Sequence, residues 1–284
     1  MGFVSQFKSK IAVIFISAAL FVCGCIYWFI VDVQLDGAPV PSRPVIVAHG
    51  GGGIPGIGSV SNSKEALTLS YSNGCRLFEL DFHWTKDEEL VLIHDWGWAY
   101  DKWYYHGDGV PSKKEFFELE MKKGLTQMSI DDLMDWMDVH QYVEIVTDVK
   151  ENNLAALQLI LEKSEHNTDR FIPQVYSIKE YEKIQALGFK KIILTLYRTK
   201  AWNFQILRFA ENHPELFAMT MRPERARQGG LGLELKQAGF FVYAHTINDQ
   251  NEFEGIQKYG ISGIYTDFLT NDEQTGLIHD LREQ

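Results

Sequence analysis

Glu79 and Asp81 stand two residues apart in the run FELDFHW, which reads as a β-strand. On a strand such residues project from one face, so both carboxylates point together while Leu80 and Phe82 point away. Neighbouring inward carboxylates repel and lose hydration, and a divalent cation bound through oxygen relieves both costs. Asp148, closing the next expected barrel strand, offers a third oxygen. An all-oxygen set suits magnesium or calcium better than zinc. A salt-bridged acidic pair at a sheet end accounts for the two carboxylates equally well. Two histidines extend the pattern. His49 ends a strand and opens HGGGG, whose glycine-rich backbone admits a ligand closely. His94, followed by Asp95, comes after a hairpin whose turn TKDEE returns the chain to the strand bearing the acids. Imidazoles that titrate near neutrality, placed beside a metal-bound phosphate, suit general acid–base work.

These residues need a scaffold. With 284 residues, 45% of them hydrophobic, the chain can build one large domain or two small ones around a sizeable core. A net charge of -11 argues against a nucleic-acid partner and requires a locally positive pocket for any anionic substrate. Cys23 and Cys25 lie in an apolar run and Cys75 is alone in the remainder, so no disulfide framework is legible. Residues 11–31 carry no charge, about the length a helix needs to cross a bilayer. Lys8 and Lys10 precede this run, and Asp32 and Asp36 follow it. The expectation is a single-pass anchor with the N-terminus cytoplasmic and the rest extracytoplasmic, a cleaved signal peptide being the alternative. The chain then divides into a tail and anchor (1–36), a Pro/Gly-bearing linker (37–44) and one domain (45–284).

Within that domain β-branched runs alternate with amphipathic stretches. Strands are expected at 45–49, 77–81, 142–148, 171–175, 191–196, 217–221, 240–246 and 261–266. Helices are expected at 63–73, 129–140, 152–165, 178–187, 202–211, 224–238, 249–259 and 272–281, with Ser129 and Asp132 marking one start. Eight such units match a TIM (β/α)8 barrel, with a doubly wound open sheet as the competing arrangement. The strand ends favour the barrel, because chemistry collects there: His49, Glu79 and Asp81, Asp148 with Lys150, Tyr197-Arg198, Arg222, His245 and Asp267. His83 is expected to be structural, and His245 to be a packed, hydrogen-bonded histidine, with a place in the pocket lining as its alternative. The aromatics Trp84, Trp96, Trp98, Trp103, Tyr104 and Tyr105 are divided between core packing and a wall for a lipid-like substituent.

AHGGG at Ala48, NSKEAL at Asn62, G-x-x-x-FELD from Gly74, the Thr85-x-Asp87 turn, LIHDW at Leu92, VTDVK at Val146 and GIYTDF at Gly263 together resemble the glycerophosphodiester phosphodiesterase family. The resemblance implies a TIM barrel that hydrolyses phosphodiesters with one divalent cation. His49 and His94 would be its acid–base pair, and Glu79, Asp81 and Asp148 its metal ligands. Lys150 would face the phosphate and Asn62 would lie at the substrate. The chain departs from the family in three places. Gly50 stands where an Arg is usual, 60–63 retains only Asn62 and a hydroxyl of Pro-Glu-Asn-Thr, and Asp148 replaces a Glu. Arg198 or Arg222 is the expected substitute for the lost guanidinium. The implied substrate is a small or lipid-derived phosphodiester. A cyclising phosphodiester lyase and a catalytically inactive phosphate-binding barrel are the other readings.

Overall fold

The computed structural model describes residues 43–271 and 278–283. The expected anchor at 11–31 lies outside the described residues, and among those described no helix is long and apolar enough to cross a membrane.

Eight parallel strands form a closed ring: β1 (Ile46–Ala48), β2 (Leu77–Trp84), then, past β3 (Leu90–Leu92), β4 (Tyr104–Tyr105) and β5 (Glu120–Met121), β6 (Glu144–Val149), β7 (Phe171–Val175), β8 (Ile193–Thr195), β9 (Ala218–Met221), β10 (Val242–His245) and β11 (Gly263–Thr266). β1 pairs with both β11 and β2, which closes the ring. The barrel therefore stands and the open sheet is excluded. β3 runs antiparallel to β2, as the hairpin required, and the short pair β4–β5 lies in the excursion that follows.

Strand alternation separates two cores. Val47, Leu77, Val146, Ile172, Ile193, Ala218, Tyr243 and Tyr265 fill the barrel interior. Ile46, Phe78, Leu80, Phe82, Ile145, Val149, Val242 and Ile264 pack outward against the helices. Two residues beyond each interior residue the side chain again faces the axis, now at the carboxyl-terminal rim. That rule reaches His49, Glu79 and Asp81, Asp148 and Lys150, Gln174 and Tyr176, Thr195 and Tyr197, Arg222, His245 and Asp267.

The surrounding helices are α1 (Lys64–Ser72), α2 (Trp98–Trp103), α3 (Lys113–Glu118), α4 (Ile130–Val139), α5 (Asn153–Lys163), α6 (Ile178–Gln185), α7 (Asn203–Asn212), α8 (Pro223–Arg227), α9 (Leu231–Gln237) and α10 (Gln250–Ile256). α4 starts in the expected capping box, Ser129 and Asp132 each accepting the other's backbone N–H. Two helix expectations fail. The stretch 224–238 divides into α8 and α9 because Gly229 and Gly230 take left-handed φ values of 79° and 71°. In place of the end of a helix over 272–281, Ile278–Asp280 forms β13, antiparallel to β12 (Leu269–Asn271). The rest of that expected helix, 272–277, lies outside the described residues.

The aromatic excursion after His94 is mostly a satellite core. Trp103, Tyr104 and Phe116 are buried within it, whereas Trp98 and Tyr105 are exposed.

Candidate active site

The register of β2 against β6 sets the acidic cluster. Asp81 lies opposite Asp148, and Glu79 enters the same space from one pleat below. All three side chains are buried, and one oxygen of each lies within 4.8 Å of the others. Lys150 bridges two of them, its Nζ 2.7 Å from Asp81 Oδ1 and 2.8 Å from Asp148 Oδ2. Glu79 Oε2 accepts the Gly50 N–H at 2.9 Å. The Tyr176 hydroxyl donates to Asp148 Oδ1.

Asn62 is placed by the helix that follows it. Ser63 caps α1 by accepting the Ala66 N–H, which leaves Asn62 at the barrel rim. Its Nδ2 donates to Asp81 Oδ2 and its Oδ1 accepts the Asp81 N–H, both at 2.9 Å. Through these two bonds Asn62, expected at the substrate, also orients Asp81. Lys150, expected to face the phosphate, stands bonded between two of the carboxylates.

Each candidate acid–base histidine is oriented by an aspartate. His49 Nδ1 lies 2.8 Å from Asp267 Oδ1, and Asp267 Oδ2 accepts from Asn248 at 2.7 Å. His94 Nδ1 lies 2.6 Å from Asp95 Oδ2, while Asp95 Oδ1 accepts the Gly97 N–H at 2.7 Å. In both rings Nε2 is left for chemistry, the arrangement in which a carboxylate fixes tautomer and orientation.

Electrostatics follow from burial and charge. Burial and then the adjacent Asp81 push Glu79 up to about 8. Burial works against ionisation of Asp81 as well, but Lys150, His94 and His49 hold its carboxyl below the usual range. Burial alone would lower His49; the Asp267 hydrogen bond and the charges of Glu79, Asp267 and Asp81 carry it up to about 9. Lys150 is the one ammonium bonded to this three-carboxylate cluster among the described residues. Negative charge is left over, and the donors are hard oxygens. The set fits a divalent cation such as Mg2+ or Ca2+.

The structure also shows why position 50 is a glycine. Gly50 has φ +55°, and a Cβ there would lie 2.6 Å from the Val60 Cα, a backbone atom that cannot swing aside. The Asn62 N–H bonds the Gly50 carbonyl at 3.0 Å and fixes this approach. Gly50→Arg is therefore expected to destabilise the fold by about 3 kcal/mol or more, from left-handed strain plus overpacking. A chemical-denaturation curve checks this; unchanged stability would mean the Val60 segment yields freely.

Arg198 and Arg222 lie at the mouth just past the carboxyl ends of β8 and β9. The Arg198 guanidinium rests 4.7 Å from the Tyr176 ring centre and 5.3 Å from that of Tyr197, and Arg222 lies 5.8 Å from Tyr197. Both are exposed, and among the described residues neither forms an ion pair with a carboxylate.

Tyr176 and Asn248 complete the site without having been named from the sequence, and Asp267, named there as a strand end, had been given no role. Tyr176 and Asp267 were within reach of the alternation rule, each lying two residues past an inward strand position, Gln174 and Tyr265. Asn248 follows a strand end and carries no such signal.

The chain matches no protein-family model, and no curated protein matches it. Solved structures share its fold. A glycerophosphoryl diester phosphodiesterase from Parabacteroides distasonis superposes with a TM-score of 0.62 at 15% identity, covering 84% of this chain and 88% of that one. A glycerophosphodiester phosphodiesterase from Thermotoga maritima gives 0.58 at 18%, covering 80% and 96%. A phosphodiesterase from Oleispira antarctica, in complex with the product sn-glycerol-3-phosphate, gives 0.59 at 18%, covering 79% and 93%. At such identities the likeness establishes the TIM barrel, and the chemistry is argued from the site itself.

Proposed function

We propose that this chain is a metal-dependent phosphodiesterase that cleaves a glycerophosphodiester or a related phospholipid-derived diester to an alcohol and a phosphomonoester. One juxtaposition carries the reading: a buried three-carboxylate cluster with two Asp-oriented histidines beside it at one barrel mouth. The similar folds of phosphodiesterases, one holding sn-glycerol-3-phosphate, support it.

Glu79, Asp81 and Asp148 would hold a divalent cation, which when bound offsets charge on the phosphate oxygens. His49 and His94 exchange protons through Nε2, one taking the proton of the attacking hydroxyl and the other protonating the leaving alcohol. Asn62 keeps Asp81 in place, and Lys150 adds fixed positive charge beside the phosphate. Arg198 and Arg222 grip the phosphate from the wall opposite β2. Their tyrosine platforms hold the guanidiniums in position without neutralising them. Arg198→Ala and Arg222→Ala are each expected to lower kcat/KM about tenfold or more. If both stay within a few-fold of wild type, the grip is elsewhere. Anchoring through residues 11–31 would tether the barrel at the extracytoplasmic face of a membrane, near lipid-derived substrates.

Incubation with a glycerophosphodiester, a lysophospholipid and an intact phospholipid, followed by phosphorus NMR, tests the reading. A phosphomonoester product from at least the first supports it. A stable cyclic phosphate would make the protein a cyclising lyase, and no turnover of any would leave a binding barrel.

A further inference from the structure

His245 ends β10 two residues after Tyr243, whose ring belongs to the interior core, so the imidazole also turns toward the barrel axis. It lies 5.3 Å from the Tyr197 ring and 6.2 Å from the Tyr265 ring, centre to centre. It also lines the cavity bounded by His49, Glu79 and Asp148. The sequence leaves this residue between a packed, hydrogen-bonded histidine and a lining residue of the pocket, and favours the first. The packing holds, but Nε2 is buried and bonds to nothing in the protein.

A buried polar atom without a partner costs about 1–3 kcal/mol, and such atoms in a folded protein call for a reason. Seven side-chain atoms among the described residues share this condition, and His245 Nε2 is the one that belongs to a residue on the cavity wall. A metal does not supply the reason. The metal-type cluster comprises Glu79, Asp81 and Asp148, and no histidine nitrogen lies close enough to join it.

The surroundings narrow the ligand. Besides the carboxylates, the cavity is lined by Gln174, Thr195, Tyr197 and Tyr265, whose amide and hydroxyl groups carry no formal charge, the Thr195 and Tyr265 hydroxyls donating to Gln174 Oε1. Burial, with the positive charges of His49 and Arg222, pushes the imidazole down to about 4, so it is neutral across the physiological range. A neutral ring nitrogen donates or accepts according to tautomer, and a hydroxyl, being donor and acceptor at once, satisfies either form. Neither an acyl chain nor a quaternary ammonium can do so.

We propose that His245 Nε2 receives a hydroxyl of the substrate's alcohol portion, making His245 a specificity residue for polyhydroxylated phosphodiesters. This rests on the phosphodiesterase reading above. It also predicts an inversion of the usual mutational cost. His245→Phe keeps the ring's bulk and removes the orphaned nitrogen, so the free protein should melt no lower than wild type. Binding should suffer instead, because a substrate hydroxyl buried without a partner is penalised.

The test is calorimetric titration of wild type and His245→Phe with sn-glycerol 3-phosphate and, separately, inorganic phosphate, alongside melting curves and kinetics on a glycerophosphodiester. The expected result is a weakening of about 10- to 100-fold for glycerol phosphate and a much smaller change for phosphate. KM should rise more than kcat falls, and His245→Gln should recover part of the loss. Equal weakening for both ligands, unchanged binding of glycerol phosphate, or a lowered melting temperature would each overturn the assignment. Wild type that neither binds glycerol phosphate nor cleaves the diester would instead bring down the phosphodiesterase reading, and this inference with it.

Discussion

His49→Ala and His94→Ala are each expected to reduce turnover of a glycerophosphodiester by about 10²- to 10⁴-fold, the range carried by a positioned proton-transfer group. Folding should survive both changes. The side chains are 24% and 38% exposed, so truncation opens little buried space. Asp267 would keep its bond from Asn248, and Asp95 its bond from the Gly97 N–H, so neither carboxylate is stranded. The prediction separates proton transfer from packing: melting temperatures stay near wild type while kcat collapses. Substantial activity in both variants would remove the acid–base assignment, whatever the fate of the carboxylates.

Glu79→Gln should have an equally large effect by another route. In the metal-free protein Glu79 is buried beside Asp81 and tends to keep its proton, so the amide replaces it at little cost to stability. What disappears is the cation site. Wild type should gain about 2.7 kcal/mol of apparent stability at metal concentrations one hundredfold above its dissociation constant, and Glu79→Gln almost none. Activity should fall at least about a hundredfold. The raised pKa adds a pH signature. Because metal binding must displace the Glu79 proton, affinity should tighten as the pH rises toward about 8 and weaken below it. A metal-induced thermal shift that persists undiminished in Glu79→Gln would place the cation elsewhere.

Much of this site was legible because a parallel barrel converts sequence alternation into geometry. Glu79 and Asp81 share a face, and the β2–β6 register brings Asp148 beside Asp81. The turn at Thr85 returns His94, and the Ile93 N–H bonds the Asp81 carbonyl at 3.1 Å. Other features depend on contacts between distant segments. Nothing local to Gly50 announces that Val60 lies over it, and the substitution of an expected Arg reads as a loss until that backbone contact is seen. The sequence places Asn62 near the site through its motif, but its paired bonds to Asp81 become visible only in the fold. His245 is the converse case. A strand-end histidine is usually satisfied by its neighbours, and no local pattern foretells that Nε2 will face a cavity unpaired. The errors in secondary structure have simple origins. Two glycines in left-handed conformation interrupt 224–238, and Ile278–Asp280 is drawn into antiparallel pairing with Leu269–Asn271.

The most direct test of the central claim, metal-dependent phosphodiester hydrolysis at this barrel mouth, is the initial rate on a glycerophosphodiester in chelator, with Mg2+ or Ca2+ then added back. The carboxylate cluster predicts a rate near background in chelator that is restored by one of these cations in wild type but not in Glu79→Gln. A rate that is indifferent to chelator, or restored equally in Glu79→Gln, would contradict it.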